Sequence, residues 1–228
     1  MYNILQWNCP RNDSCDEQYL MDKLTNIDIC IMQRCPDRFL NIVKEKFQNI
    51  FCEPHSNENN LVVATNIDNA QSKTYKLPNY DLAEQTNDRN QGSIAQSINI
   101  NDLQLINFQI VYENNLEIKK HNRILDIEYI FNNINKNKNV IMTGDLHMEP
   151  NLDNETQELI EQNQFISNTD DIITFTKTDN TSCYGFRHDR VLTKGNIGTS
   201  NFESYIKSNS NGNTHWIFTY KVGVTNDY

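Results

Sequence analysis

The feature that most constrains this chain is a set of short, largely continuous apolar segments that alternate with helix-period stripes. Asn3-Ile4-Leu5-Gln6-Trp7-Asn8 and Asp28-Ile29-Cys30-Ile31-Met32-Gln33 carry apolar residues at successive positions. Side chains on a strand point to alternate faces, so a strand that is apolar at successive positions is buried on both. Between these runs a helix is expected from about Cys15 to Leu24, with Asp13 or Ser14 as its N-cap. Pro36 opens a second helix in which Phe39, Ile42, Val43 and Phe47 share one face. A β-α-β-α opening with doubly buried strands needs cover on both sides of a sheet, which defines an α/β chain.

The same grammar continues. Strands are expected at 61–65, 93–100 and 103–111, with Asn101-Asp102 forming a tight hairpin turn between the last two. A helix from about Lys119 to Ile134 places Ile124, Ile127, Phe131 and Ile134 on one stripe. It leads into a strand at 139–143, followed by Gly144-Asp145-Leu146-His147. A short helix is expected near 155–162, and the last strands at 189–193 and 215–222. No linker, repeat or composition break divides the 228 residues, so one domain spanning 1–228 is expected.

Charge restricts the partners. The formal net charge is −10, and no Lys/Arg cluster is longer than Lys119-Lys120. Nucleic-acid binding leans on cationic contacts to phosphate, so it is disfavoured here. The mean hydropathy of −0.69 comes largely from asparagine, as in Asn57-Glu58-Asn59-Asn60. No apolar run approaches the roughly 20 residues of a membrane span, and Met1-Tyr2-Asn3 lacks a signal pattern. The expected setting is synthesis in the cytoplasm or nucleus, without membrane attachment. Cys9, Cys15, Cys30, Cys35, Cys52 and Cys183 form no C-x-x-C pair, which argues against a cysteine zinc site. Reduced, mostly buried thiols are expected; disulfides formed after leaving the cytosol are the alternative.

Four ordered segments resemble the endonuclease/exonuclease/phosphatase superfamily. Ile4-Leu5-Gln6-Trp7-Asn8 is similar to the first strand of non-LTR retrotransposon endonuclease domains. Asp28 to Gln33 matches a family strand that ends in Gln-Glu. Thr143-Gly144-Asp145-Leu146-His147 matches Gly-Asp-Phe-Asn. His188-Asp189-Arg190-Val191-Leu192 and Asn213-Thr214-His215 match Ile-Asp-Tyr-Val-Leu and Ser-Asp-His. The resemblance implies a four-layer α/β/β/α sandwich with two mixed β-sheets. It also implies a site in which strand-end carboxylates hold Mg²⁺ or Mn²⁺ against a phosphate, while a histidine acts nearby.

Carried over by position, Asn8, Asp145, Asp189 and His215 keep the family pattern. Arg34 stands where the metal-binding glutamate would be, Gln109 for a histidine or tyrosine, His147 for an asparagine, and Thr214 for an aspartate. An arginine in place of a carboxylate changes the local charge by two units and stays protonated. It would pair with Asp145 or Asp189 where relatives hold metal. The sequence is therefore read as a vestigial site without catalytic residues, metal or cofactor, on a fold reused for a structural or interaction role. Self-association, and assembly into a viral particle, fit its acidic and asparagine-rich composition.

Three other readings stay open. The first is a divalent-metal endonuclease or phosphodiesterase with an altered site. The second is a rewired transition-metal site drawing on His147, His188 and His215 with Asp145 and Asp189. His188 should, by strand alternation, face away from Asp189. The third is a decoy whose Arg34 contacts phosphate without cutting.

Overall fold

Continuous apolar runs require cover on both faces, and the architecture supplies it. The computed structural model describes residues 1–9, 17–56, 59–81, 92–110, 116–147, 153–169, 175–178, 183–186, 188–205, 214–215 and 217–224. The first sheet has six strands in the order β13-β15-β1-β2-β4-β3. These are Ile197–Tyr205, Ile217–Val224, Tyr2–Asn8, Ile29–Cys35, Asn59–Thr65 and Asn49–Ser56. The second, also six-stranded, has the order β5-β6-β7-β8-β12-β9. Its strands are Gln71–Lys76, Ile94–Ile100, Leu103–Gln109, Asn139–Asp145, Asp189–Lys194 and Ile166–Ser167. Both sheets are mixed, because β1/β2 and β7/β8 run parallel while their neighbours are antiparallel. A small three-stranded sheet joins β11 (Cys183–Phe186), β10 (Phe175–Thr178) and β14 (Thr214–His215).

Three apolar cores separate the layers. Ile4, Ile31 and Val63 of the first sheet meet Ile98, Leu105, Ile141 and Val191 of the second. On the outer face of the first sheet, Leu5, Trp7, Cys30 and Met32 pack under α1 (Glu17–Lys23) and α2 (Asp37–Lys46) through Leu20, Phe39 and Val43. On the outer face of the second, Ile106, Phe108, Val140 and Met142 pack under α3 (Leu116–Tyr129, continued by a π-turn at Ile130–Ile134) and α4 (Asn154–Gln162). Adjacent residues thus enter different cores: Ile4 lies between the sheets and Leu5 under the helices. The α/β/β/α sandwich with two mixed sheets is the architecture expected from the sequence.

Element boundaries move for local reasons. Asn101 adopts φ +51° at the two-residue β6–β7 hairpin, a left-handed conformation that asparagine tolerates. At the end of α3 the Gln104 side chain donates to the Ile134 carbonyl at 2.6 Å and to Ser97 Oγ at 2.8 Å. The expected strand at 215–222 divides: β14 joins the small sheet, and β15 begins at Ile217. β3, β5, β9, β10, β11 and β13 had no expectation. The N-cap candidates Asp13 and Ser14, and Cys15, lie outside the described residues. Cys9, Cys30 and Cys35 are buried free thiols and Cys52 is a half-buried one. Burial, reinforced by neighbouring Cys35, pushes the Cys30 thiol well above its ordinary range. Among the described residues no helix is long and apolar enough to cross a membrane.

One buried carboxyl gives the fold a pH dependence. Asp126 on α3 is fully buried and accepts from the Asn79 backbone N–H at 3.2 Å, while Asn79 Nδ2 donates to the Asn122 carbonyl at 2.8 Å. Burial raises the Asp126 carboxyl from 3.8 to about 6, against the lowering effect of its Ser93 and Asn79 hydrogen bonds. The folded chain binds this proton more tightly than the unfolded chain. The stabilisation is therefore complete below pH 3.8 and lost as pH rises through about 6. Asp126→Asn keeps the acceptor for Asn79 without the charge. Its thermal midpoint should exceed the parent's at pH 7.5, by a stability gain of roughly 1–3 kcal/mol, and the gain should close only at about pH 3.5, below the unfolded-state value. Melting curves at the two pH values check this; a gain independent of pH would contradict it.

Candidate functional site

The inward-facing residues change character along the sandwich. At one end they are apolar; at the other they are Gln6, Asn8, Gln33, Asn107, Gln109, Thr143, Asp145 and Asp189, all buried. Strand register places them together. Asn8 is the β-partner of Gln33, and Asp145 lies between Gln109 and Asp189 on neighbouring strands. Gln33 Nε2 donates to Asn107 Oδ1 at 2.6 Å, which links the two sheets.

At the outer edge of this seam, two fully buried carboxylates stand side by side. The Asn8 amide reaches from the first sheet and donates to Asp145 Oδ2 at 2.7 Å and to Asp189 Oδ1 at 3.2 Å. Its own Oδ1 is buried and accepts no hydrogen bond from the described residues. Gly144 is required just before Asp145, because a Cβ there would sit 2.1 Å from the Phe108 carbonyl oxygen of the adjacent strand.

Arg34 arrives at the rim by a backbone irregularity. The β2–β4 register shifts between Met32 and Cys35, and Arg34 adopts φ +52°. Such a bulge re-aims a side chain that alternation would send elsewhere. Arg34 Nη2 lies 3.3 Å from His147 Nε2 and 3.9 Å from Asp145 Oδ2. The Gln109 carbonyl oxygen, turned to face the guanidinium, accepts from its Nε at 3.2 Å and its Nη2 at 3.0 Å. The expected arginine–carboxylate pair is thus looser than hydrogen-bond distance, and Gln109 and His147 are the nearer partners.

His147 also takes a left-handed backbone, φ +49°. Its N–H donates to Asp145 Oδ1 at 2.8 Å, and its ring Nδ1 lies 3.1 Å from the same oxygen. Leu146 N–H donates to the His188 carbonyl at 2.9 Å, and the two imidazoles meet edge-on with centroids 5.9 Å apart. His188 precedes β12, so strand alternation does not govern it, and its ring is brought to the site rather than turned away.

The expectation that no metal or cofactor is held is corrected here. Asp145, His147 and His188 each offer a ligand atom, all within 4.8 Å of one another. One carboxylate and two imidazoles form a donor set suited to a divalent cation, and transition ions favour imidazole. Asn8 Oδ1, which accepts nothing from the described residues, adds a carbonyl acceptor at the same edge. The rewired site of His147 and His188 with Asp145 was open in the sequence, but the charge of Arg34 and the substitutions at Gln109, His147 and Thr214 outweighed it. Of the other expected site positions, Thr214 and His215 lie on β14, and their side chains are outside the described residues.

Arg123 is a residue the sequence reading overlooked. It is buried on α3, donates from Nε to the Leu146 carbonyl at 2.8 Å and from Nη2 to the His147 carbonyl at 2.9 Å, and pairs through Nη1 with Asp153. Asp153 caps α4 by accepting from Thr156 N–H at 3.0 Å. Burial lowers the Arg123 guanidinium to about 10, with Asp145 opposing the shift and Arg190 adding to it. The signal was present: Arg123 stands four residues before Ile127, on the helix's apolar stripe.

The sequence matches no protein-family model and no curated protein sequence. Its fold, however, matches solved structures along their whole length. An endonuclease/exonuclease/phosphatase family protein from Leptotrichia buccalis superposes with TM-score 0.69 at 14% identity, covering 98% of this chain and 100% of that one. The 3' phosphatase NExo from Neisseria, bound to a product DNA hairpin, gives TM-score 0.69 at 10% identity, covering 98% and 100%. The endonuclease domain of TRAS1, a telomere-specific non-LTR retrotransposon, gives TM-score 0.63 at 13% identity, covering 97% and 98%. The chain has the endonuclease/exonuclease/phosphatase fold, and that fold includes a non-LTR retrotransposon endonuclease domain among its similar structures.

Arg123→Met would leave the Asp153 carboxylate buried without its cation and two carbonyls without a donor. The expected loss is about 3–5 kcal/mol, read as a lowered urea midpoint. A midpoint within error of the parent would show that this clamp does not hold the loop.

Proposed function

We propose that this chain is a phosphoester hydrolase with an altered metal site, in which Asp145, His147 and His188 hold the divalent cation. The observation that carries the reading is the convergence of those three ligand atoms within 4.8 Å. They converge at the polar edge of a fold whose similar structures include a 3' phosphatase, an endonuclease domain and a mannosyl-6-phosphatase. A bound cation would neutralise phosphate charge and acidify a water. Asn8 fixes the Asp145 and Asp189 carboxylates, and Arg34 offers planar N–H donors suited to phosphate oxygens. The net charge of −10 favours a small phosphoester over a long nucleic acid.

A second reading rests on Arg34, whose guanidinium already engages His147 and lies near Asp145. Under it the fold serves a non-catalytic, structural or self-associating role. The two readings separate by turnover.

Assays with p-nitrophenyl phosphate, bis-p-nitrophenyl phosphate and single-stranded DNA, across Mg²⁺, Mn²⁺, Co²⁺ and Zn²⁺, should show metal-dependent hydrolysis. Asp145→Asn and His147→Ala should each lower it by about 100-fold or more, as loss of a ligand exceeds loss of its supporting contacts. No turnover with any metal, together with a stable oligomer in sedimentation, would favour the structural role.

A further inference from the structure

The contact between Arg34 and His147 has a consequence for how the site fills. Guanidinium groups donate and never accept, so His147 Nε2, 3.3 Å from Arg34 Nη2, must carry the lone pair. The ring proton then sits on Nδ1, facing Asp145 Oδ1 at 3.1 Å. Each imidazole nitrogen has one position for either a proton or a cation. A cation at Nε2 takes the place of the Arg34 N–H. A cation at Nδ1 drives the proton to Nε2, where it points at the Arg34 donor. In both cases Arg34 must leave His147, and charge repulsion acts in the same direction.

Arg34 has somewhere to go. Its side chain is 11% exposed at the rim, its contact with Gln109 is to a neutral group, and its approach to Asp145 Oδ2 is a loose 3.9 Å. A displaced guanidinium beside a new dication is matched by an oxyanion with planar acceptor geometry, and a phosphate group has that chemistry. We infer that Arg34 couples the two ligands of this site: it withholds His147 from a divalent cation until a phosphate group draws the guanidinium away, so that cation and phosphate bind with positive cooperativity. This rests on the metal-site reading given above. Coupling of this kind is reciprocal, so the cation must tighten phosphate binding by the same factor.

The test uses the full chain and the free-ion EPR signal of Mn²⁺, titrated with and without inorganic phosphate. Wild type should bind Mn²⁺ about fivefold or more tightly with phosphate present. Arg34→Gln should bind Mn²⁺ more tightly than wild type without phosphate, and phosphate should then have no enhancing effect. The wild-type pair of titrations stands without the variant if Arg34→Gln does not fold. Equal Mn²⁺ affinity with and without phosphate would overturn the coupling and leave the metal site intact. Absence of Mn²⁺ binding in both wild type and Arg34→Gln would instead overturn the metal site itself.

Discussion

The Asn8 amide between two buried carboxylates is the interaction on which this molecule's organisation turns. Asp145 and Asp189 are neighbours across an antiparallel pair, both removed from solvent. Like charges at that spacing repel strongly in a low-dielectric setting. Asn8 reaches them from the facing sheet, so the bond that relieves the carboxylates also ties the two sheets together at their polar end. Below it, Gln33 and Asn107 make a second crosslink, and only deeper does the inter-sheet space become apolar. The core supplies the burial that holds the layers together, and the seam fixes which groups meet at the edge.

Around that seam the site is made from irregular backbone. Arg34 and His147 both have positive φ without being glycine, a conformation that costs of order 1–3 kcal/mol and persists where surrounding structure enforces it. For Arg34 the enforcing element is the β2 bulge; for His147 it is the Arg123 clamp, which ties the Leu146 and His147 carbonyls to α3. Two strained residues thus touch one another beside a carboxylate and a second histidine, an arrangement that fits the proposed exchange of partners. A fully satisfied salt bridge would be less able to change partners.

Much of the fold was legible because its strands are buried on both faces. Ile4, Leu5, Ile29, Cys30, Ile31 and Met32 could only belong to a sheet with cover on each side, and α2 announced itself through Phe39, Ile42, Val43 and Phe47. β5 was not legible: Gln71 to Lys76 is a polar edge strand whose side chains are exposed or half-buried, so it carries no apolar period. β13 is similar, with exposed and half-buried residues throughout. Within the site, Asn8, Asp145 and Asp189 were singled out by the resemblance of their segments to the family's motifs. His188 could not, because it stands just outside β12 and the alternation rule was applied one residue too far. The bulge that aims Arg34 leaves no local signature, so the sequence could give its charge but not its partners. Weighing that charge together with the substitutions at Gln109, His147 and Thr214 led to the expectation of an empty site, against which the cluster of Asp145, His147 and His188 stands.

The central claim is that Asp145, His147 and His188 form one cation site which Arg34 vacates on loading. Anomalous scattering from crystals grown with Mn²⁺ or Zn²⁺ tests it most directly. The account predicts a single peak about 2 Å from a carboxylate oxygen of Asp145 and from one ring nitrogen each of His147 and His188, with Arg34 turned away from His147. No peak at that position, with Arg34 still on His147 Nε2 at saturating metal, would contradict it.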